Sequence, residues 1–315
     1  MKTAPACIGA VTTALALVLM LGGNPAEAAA HRTWVSANGD DANQCTRLDP
    51  CRTLAAALTN TSPGGEINIL DSGGFGTVVI TKSVNIVAPG VQAGILAQFD
   101  AIKVDAGSGG DVTLRGLDIQ GAGGGARGNE FVSGYALHIE SCTIRDFRSG
   151  VGDGISFAPA TMESRLYVHD TLLSKNANAI DIHPGIAGGA KIMFTRVQME
   201  GNSNGIVAHT TLQSTGSGIT MSVRDSVVAG SVTGISVATD LLVAGGPHPP
   251  IALMIDHSSV ANNGTGIKST GTFSTVRISA STITGNTIGV SVPANGRIYP
   301  NNIIEGNGDD PKPDL

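Results

Sequence analysis

Apolar positions recur along the chain, from residue 112 onward, in eight rows that align with one another. Each row has a six-residue centre that opens and closes on an anchor residue facing the predicted core. The opening residues are Leu114, Ile139, Val168, Phe194, Val223, Ile255, Ile278 and Tyr299. The closing residues are Ile119, Ile144, Leu173, Met199, Val228, Val260, Ile283 and Ile304. The closing residues lie 25, 29, 26, 29, 32, 23 and 21 positions apart, which predicts a constant core with loops of different lengths.

A corner follows each row, and the position three residues after the closing residue is polar in six of the eight rows. In five rows this residue is Asn, namely Asn176, Asn202, Asn263, Asn286 and Asn307. Asn tolerates the left-handed backbone of a tight corner, and stacked Asn side chains form hydrogen bonds from one coil to the next. Three residues later the next strand opens, as in Gly205-Ile206 and Gly266-Ile267. Each repeat therefore contains at least two short strands joined by an Asn corner.

The alternation within these segments has the period of a β-strand, as Ile180-Asp181-Ile182-His183 illustrates. One coil cannot bury its own apolar side, so neighbouring coils must stack in parallel register around a shared interior. The crossover rule for parallel strands favours right-handed winding. We therefore predict an all-β fold, a right-handed parallel β-helix with a short N-terminal capping helix.

The N-terminus has the layout of a secretory signal peptide. Lys2 precedes an apolar stretch at residues 8–21, and small residues at 26–30 predict cleavage after Ala28 or Ala30. A membrane anchor is the alternative, but about fourteen apolar residues fall short of the roughly 20 that span a bilayer. We expect a secreted or periplasmic protein without a membrane span.

The remaining chain is read as one domain because no charged or proline-rich linker divides it. After the signal peptide at 1–30 we expect an N-terminal capping segment at 31–65, the parallel β-helix at 66–307 and a polar C-terminal tail at 308–315. Within the capping segment, residues 53–60 predict a short helix with Thr53 as N-cap. Such a helix would cover the unpaired backbone groups of the first coil.

Composition agrees with many short strands and tight turns, since 43 residues are Gly and only 3% are aromatic, while 41% are hydrophobic. The net charge is −6 and the 19 Lys and Arg residues are scattered. This distribution provides no basic patch for nucleic acid or an anionic membrane, and we expect neither as a partner.

Three cysteines remain once the signal peptide is removed. Cys45 and Cys51 bracket a short turn, and export favours oxidation, so we expect a disulfide between them. Cys142 lies where a strand meets a turn and is expected to be a buried, inert thiol.

Several segments resemble bacterial secreted proteins of the pectin-lyase-like superfamily. They are Trp34-Val35-Ser36-Ala37-Asn38-Gly39-Asp40-Asp41-Ala42-Asn43, Pro50-Cys51-Arg52-Thr53-Leu54, Pro63-Gly64-Gly65-Glu66-Ile67 and the Asn-x-x-Gly-Ile rows. The resemblance covers nearly the whole mature chain and implies the parallel β-helix fold. It implies no single activity, because the superfamily includes pectate lyases, polygalacturonases, epimerases, phage tailspikes and proteins without a known reaction.

The motifs of the enzymatic branches are not matched. The polygalacturonase motifs Asn-Thr-Asp, Gly-His-Gly and Arg-x-Lys are absent, and the two Asp-Asp pairs lie outside the aligned rows. Ile255-Asp256-His257 resembles a pectate lyase segment, but Met254 stands where Trp is expected, and no Arg-x-Pro-x-x-Arg occurs. The Asp-Pro-His-Asp of alginate epimerases is also missing. These absences favour a protein that is not an enzyme.

One group of outward residues is the first candidate site. With Ile180 inward, Asp181 and His183 point outward, and the same alternation on the next coil exposes His209. Coils stack about 4.8 Å apart, so these three side chains should be neighbours. Two imidazoles and a carboxylate can ligate a transition metal or act as acid and base. The alternative, a solvated patch of common residue types, is favoured, so we predict no metal and no cofactor.

Asp153 is the second choice for a catalytic residue, together with Lys175. Asp153 lies in a Gly-rich segment, and Arg145, Arg148 and Lys175 are near it in sequence, as an acidic-sugar site requires. A Gly-Asp turn with solvated charges is the alternative and is favoured.

The expected function is that of an exported, non-catalytic surface or glycan-interacting module, with polysaccharide or the cell envelope as partner. Aromatic platforms for sugars are scarce, since we count only Trp34, Tyr135, Tyr167 and Tyr299 as available. The alternative is a polysaccharide lyase, hydrolase or epimerase that acts on acidic polysaccharide. The sequence leaves the oligomeric state open.

Overall fold

Three parallel β-sheets form the walls of a solenoid in this computed structural model, which describes residues 29–160, 163–210, 215–239, 249–292 and 296–310. Sheet A contains β1 (Ala30–Val35), β2 (Thr61–Ile69), β5 (Val84–Val87), β8 (Asp111–Arg115), β11 (Ala136–Glu140), β14 (Glu163–His169), β17 (Gly189–Thr195), β20 (Gly218–Arg224), β23 (Ile251–Asp256), β26 (Ser274–Ser279) and β29 (Arg297–Ile298). Sheet B contains β3 (Gly73–Gly74), β6 (Ala93–Leu96), β9 (Leu117–Gln120), β12 (Thr143–Arg145), β15 (Leu172–Ser174), β18 (Gln198–Glu200), β21 (Val227–Ala229), β24 (Ser259–Ala261), β27 (Thr282–Thr284) and β30 (Ile303–Ile304). Sheet C contains β4 (Val78–Ile80), β7 (Asp100–Asp105), β10 (Arg127–Ser133), β13 (Asp153–Phe157), β16 (Asn178–Ile182), β19 (Asn204–Thr210), β22 (Thr233–Thr239), β25 (Thr265–Thr270) and β28 (Ile288–Ser291).

The chain visits sheets A, B and C in turn, and strands of successive coils pair in parallel. The closing residues pair as the repeat predicts, since Ile144 pairs with Leu173 and Leu173 with Met199. Their side chains are fully buried and belong to one continuous apolar core. The predicted all-β parallel solenoid is therefore confirmed.

The last row departs from the predicted register. Ile278 pairs with Ile298 rather than with Tyr299, while Ile283 pairs with Ile304 as expected. This row holds one more residue between its two anchors than the row before it. Tyr299 is 40% exposed, and Ile298, which takes its place in the register, is 47% exposed, so neither residue of this last coil is buried.

One helix occurs among the described residues, α1 (Leu54–Asn60), and it confirms the helix predicted at residues 53–60. Thr53 is its N-cap, and the Oγ1 atom accepts a hydrogen bond from the backbone N–H of Ala56 at 3.2 Å. A disulfide joins Cys45 to Cys51 just before the helix. No helix in the described part of the chain has the length and apolar character needed to cross a membrane. Residues 1–28, which hold most of the predicted signal peptide, lie outside the described residues.

A buried Asn ladder stands at the corner between sheets B and C. Oδ1 of Asn202 accepts from the backbone N–H of Asn176 at 2.9 Å, and Nδ2 of Asn202 donates to the carbonyl of Leu173 at 3.0 Å. The ladder continues with the same pattern through Asn263, Asn286 and Asn307. The predicted coil-to-coil hydrogen bonds are therefore present.

The backbone reason given for Asn at this corner is wrong. The left-handed residue is the one before the ladder position, for example Lys175 with φ of 57° and Asn262 with φ of 55°. Asn is required instead because its amide accepts from one backbone N–H and donates to one carbonyl of the preceding coil. An apolar residue at this position would leave both of those buried groups unpaired.

A second ladder, of hydroxyl groups, runs along the corner between sheets A and B. The hydroxyls of Ser226 and Ser258 donate to carbonyls two residues earlier, at 2.7 and 2.8 Å. Cys142 occupies the same position, and its thiol donates to the carbonyl of Glu140 at 3.3 Å. Burial raises the pKa of the Cys142 thiol to about 11, so this buried, free thiol has little thiolate at neutral pH.

Replacement of Ser231 with Asn should stabilise the protein. Ser231 interrupts the Asn ladder, and its buried Oγ has no hydrogen-bond partner. Gly205 lies beside Val228 as Gly234 lies beside Val260 and Asn263, so by the repeat a larger amide at position 231 would meet a residue without a side chain. The new amide would pair with the Asn202 N–H and the Met199 carbonyl and raise the free energy of unfolding by about 1 kcal/mol. Denaturant titration measures the change, and Ser236→Asn on the outer face of sheet C is the matched control.

Ser236→Asn should change the free energy of unfolding by less than about 0.5 kcal/mol. A destabilised Ser231→Asn variant, or an equal gain in both variants, would contradict the role assigned to the ladder.

Candidate functional site

Polar side chains gather on the outer face of sheet C along β7, β10, β13, β16 and β19. Strand pairing places them in two columns and a third, shorter group at the end of the strands. We call this set the polar track. It comprises Asp100, Arg127, Asp153 and Asn178 in the first column, Lys103, Glu130, Ser156 and Asp181 in the second, and His183 and His209 beyond them.

Ion pairs organise the first part of the track. Glu130 carries two of them, from its Oε2 to Lys103 Nζ at 3.0 Å and from its Oε1 to Arg127 Nη1 at 3.2 Å. Arg127 Nη1 also lies 3.5 Å from Asp100 Oδ1. These four residues form one network in which two cations alternate with two carboxylates.

A cavity of about 580 Å³ opens beside this network, at the N-terminal end of sheet C. Its lining includes Lys82, Phe99, Asp100 and Lys103, and it reaches α1 at Leu58. The Phe99 side chain is 78% exposed, so its ring is available to a ligand. Burial lowers the pKa of Lys82, whose ammonium group donates to the Thr61 carbonyl. The cavity thus combines two cations with one free aromatic ring.

Asp153 lies at the centre of the track and is only 1% exposed. Asn178 Nδ2 donates to its Oδ1 at 2.9 Å. Burial raises the pKa of Asp153 to about 7, and the nearby charge of Asp181 acts in the same direction, while Asn178, Arg127 and His183 oppose the rise. Asp153 therefore exists in both protonation states near neutral pH, in contrast to the solvated turn that the sequence favoured.

The basic residues near Asp153 in sequence have other partners in the structure. Arg145 forms a bidentate pair with Asp118, and Arg148 bonds to Asp146 and to the carbonyl of Lys175. Lys175 is exposed at the corner before β16. The charges of Arg127 and His183 act on Asp153 instead, and Arg127 was not predicted from the sequence.

The structure brings Asp181, His183 and His209 together, as strand alternation predicts. Asp181 Oδ2 lies 2.8 Å from His183 Nδ1, and Asp181 Oδ1 lies 3.7 Å from His209 Nε2. The two rings stack with centroids 5.6 Å apart and planes 9° from parallel. The bond to Asp181 raises the pKa of His183 above its ordinary value, although burial acts against it. What these residues do stays a prediction.

The residues that precede this cluster along the track were not predicted from the sequence. Lys103 and Arg127 lie upstream of the clear repeat or next to a Gly-rich loop, where the row alignment gave no register. The available signal was alternation within β10, where Asn129 and Phe131 are fully buried and Glu130 lies between them. That pattern alone would have placed Glu130 on the outer face.

Two of the tyrosines counted as sugar platforms, Tyr135 and Tyr167, have ring faces that other side chains cover. The Tyr167 ring stacks on His138 with centroids 4.7 Å apart, and the Arg165 guanidinium covers the Tyr135 ring at 4.4 Å. These contacts occupy ring faces that a sugar would need. Phe99 at the polar track is the better placed aromatic side chain.

No family model matches this sequence, and no curated protein does. Among solved structures, the crystal structure of pectate lyase Pel9A is similar, with a TM-score of 0.52 and 11% sequence identity. The alignment covers 86% of this chain and 79% of the pectate lyase chain. At this identity the likeness concerns the fold, and the chain has the pectin-lyase-like parallel β-helix fold that its sequence resembles.

Replacement of Asp153 with Asn should remove a pH dependence of stability. The unfolded carboxyl ionises near pH 4, whereas burial raises the pKa of folded Asp153 to about 7. The folded state therefore binds this proton more tightly, and the free energy of unfolding should fall as pH rises from about 4 to about 7. The loss amounts to up to about 4 kcal/mol at about 1.4 kcal/mol per pKa unit.

Denaturant titrations at pH 4 and pH 8 measure this effect. Asp153→Asn should match the wild type at pH 4 and exceed it at pH 8, because its amide cannot ionise. The exposed Asp225→Asn variant is the control and should not change the difference between the two pH values. An Asp153→Asn variant with the full wild-type pH dependence would show that Asp153 is ionised normally.

Proposed function

We propose that this chain is an exported parallel β-helix protein that binds an extended glycan along the polar track. The observation that carries the proposal is the linear array of charged groups on one sheet, from the cavity beside Lys103 to His209. Coils about 4.8 Å apart repeat these groups at regular intervals along the axis. A regular linear array suits a polymer better than a compact ligand.

The cavity is the proposed subsite for an acidic sugar. Lys82 and Lys103 line it, and ammonium groups form charge-assisted hydrogen bonds with carboxylates. The exposed Phe99 ring offers an apolar surface against which the C–H face of a sugar can pack. Glu130 pairs with Lys103, and Asp100 pairs with the neighbouring Arg127, so recognition depends on local placement of charge rather than on a strongly basic surface.

Three further features belong to this proposal. Export rests on the signal-peptide layout of the first 30 residues. Right-handed winding rests on the strong preference of parallel crossover connections for that hand. A capping role for α1 rests on its packing against β1 and β4, which are the end strands of sheets A and C.

Binding of acidic polysaccharide should depend on the cavity. Lys103→Gln and Phe99→Ala should each weaken binding of pectate, polygalacturonate or alginate about tenfold, because each loses one contact of about 1.4 kcal/mol. Isothermal titration calorimetry with size-defined fragments measures the affinity, and neutral polymers test the charge requirement. Lys268→Gln is the matched control, since Lys268 is an exposed lysine further along the same face of sheet C.

Lys268→Gln should bind as the wild type does. The binding proposal fails if none of these polymers binds, or if Lys103→Gln and Phe99→Ala both keep wild-type affinity.

A second candidate function is a lyase, hydrolase or epimerase reaction on acidic polysaccharide. One observation favours it, namely that a buried carboxyl with a pKa of about 7 lies near an ion-paired carboxylate on the same wall. Groups whose pKa lies near the working pH transfer protons efficiently. In this reaction Asp153 is the general acid that donates a proton, and the cluster of Asp181, His183 and His209 is the general base that accepts one.

Turnover should fail when Asp153 cannot ionise. If the chain is an enzyme, Asp153→Asn should lower the rate at which new reducing ends or unsaturated products form by at least about 100-fold. Asp225→Asn should retain the wild-type rate. Absence of product from every polymer would remove the catalytic candidate and leave the binding proposal standing, whereas turnover that survives Asp153→Asn would place the chemistry elsewhere.

A further inference from the structure

Asp181, His183 and His209 form a compact set of donor atoms. One ligand atom from each residue lies within 4.8 Å of the others. Strands β16 and β19 pair in register next to these residues, with Ile182 opposite Ala208, so the backbone fixes the spacing of the two rings. Asp181 and His209 therefore lie within two adjacent strands of a sheet, and His183 directly follows β16.

The carboxylate of this set is not satisfied by the protein alone. The Asp181 side chain is 15% exposed, and its buried Oδ1 has no hydrogen-bond partner. That oxygen lies 3.7 Å from His209 Nε2, which is beyond hydrogen-bond distance. Buried polar atoms are nearly always paired, and an ion is one of the usual partners when no protein group serves. Asp181 Oδ1 thus has only a long ion-pair contact and no hydrogen bond, and this points to a ligand independently of the grouping of the residues.

We propose that Asp181, His183 and His209 bind one divalent transition-metal ion, with zinc as the best match. Two imidazoles and one carboxylate suit Zn²⁺ or Co²⁺, whereas Ca²⁺ and Mg²⁺ prefer sets made only of oxygen atoms. Three protein ligands leave a fourth position for water, as in zinc sites that remain open to solvent. Donors bound to one zinc lie roughly 3.3 Å apart. The three donor atoms lie within 4.8 Å of one another, so metal binding would require them to move closer by side-chain rotation.

Other His–Asp contacts on this protein provide a contrast. His257 Nδ1 lies 2.9 Å from Asp256 Oδ2, and His169 Nδ1 lies 2.8 Å from Asp170 Oδ2. Neither pair belongs to a group of three or more close potential ligands among the described residues. The His257 and His169 side chains are also more exposed than His183, at 57% and 45% against 32%. Asp181 differs from Asp170 and Asp256 because a second histidine, His209, lies next to it.

The site does not depend on glycan binding or on turnover, so metal binding itself is the test. Protein without a histidine tag is stripped with EDTA and titrated with Zn²⁺ by calorimetry and with Co²⁺ by visible absorption. The wild type should bind one equivalent with micromolar or tighter affinity and show the d–d bands of bound Co²⁺. Zn²⁺ should also raise the melting temperature, whereas Mg²⁺ and Ca²⁺ should not compete.

The ligand variants should separate this site from nonspecific surface binding. His183→Ala, His209→Ala and Asp181→Asn should each weaken Zn²⁺ binding by about 100-fold or more, because each removes a ligand. His257→Ala is the matched control and should bind as the wild type does. Melting temperatures measured in EDTA show whether each variant is folded, and a less disruptive His209→Gln replaces any variant that is not.

Sub-stoichiometric or millimolar binding by the wild type would overturn the proposal. Wild-type affinity in His209→Ala would also overturn it, as would an equal loss in His257→Ala. A failure of polysaccharide binding would leave this inference intact, because the titrations contain no glycan.

Discussion

The structure depends on parallel, in-register stacking of coils that cannot bury their apolar sides alone. Because each coil lies directly above the one before it, every position along a strand meets an equivalent position about 4.8 Å away. Apolar positions therefore merge into one core, and polar positions become ladders. The corners must satisfy backbone groups that no strand pairs, and the Asn ladder does this with one amide per coil. The same amides would not fit without residues such as Gly234 and Gly266 opposite them.

This constraint also decides what a functional site looks like here. A site is a set of neighbouring columns on the outer face of one sheet. Charged residues on adjacent coils must alternate in sign, lose their charge through burial, or bind a ligand. On the polar track Lys103, Glu130 and Arg127 alternate, whereas Asp153 is desolvated. Several buried polar atoms of the track, such as Glu130 Oε2 and Asp100 Oδ1, make ion pairs but no hydrogen bond, and the amide of Asn129 has no hydrogen-bond partner. The track is therefore held together by charge pairing, unlike the hydrogen-bonded ladders at the corners.

Sequence reasoning succeeded where a repeat supplied the register. The neighbours Asp181, His183 and His209 followed from one assumption, that Ile180 points inward, and the structure brings them together. It failed where the repeat was irregular, as at Arg127, which follows a Gly-rich loop. It also failed for properties that belong to the assembly, since the burial of Asp153 depends on neighbouring coils. The left-handed residue of the corner was predicted one position too late, at Asn176 instead of Lys175. Repeat spacing alone does not show which of these two neighbours has the left-handed backbone.

The charged character of the track is not required by the fold. Further along the same face, the columns continue through Asn204, Thr233 and Thr265 and through Val207, Ser236 and Lys268, and the coils stack there just as well. Neutral residues would thus serve at Asp153 and Asp181, without the cost of a buried carboxyl or an unpaired oxygen. Asn129 adds to this cost, since its buried amide has no partner beneath the same track. Elsewhere the solenoid fills most buried polar positions with paired hydroxyls and amides, whereas this wall holds the desolvated carboxyl of Asp153 and the unpaired amide of Asn129. Such a pattern is expected where ligand contacts complete a site.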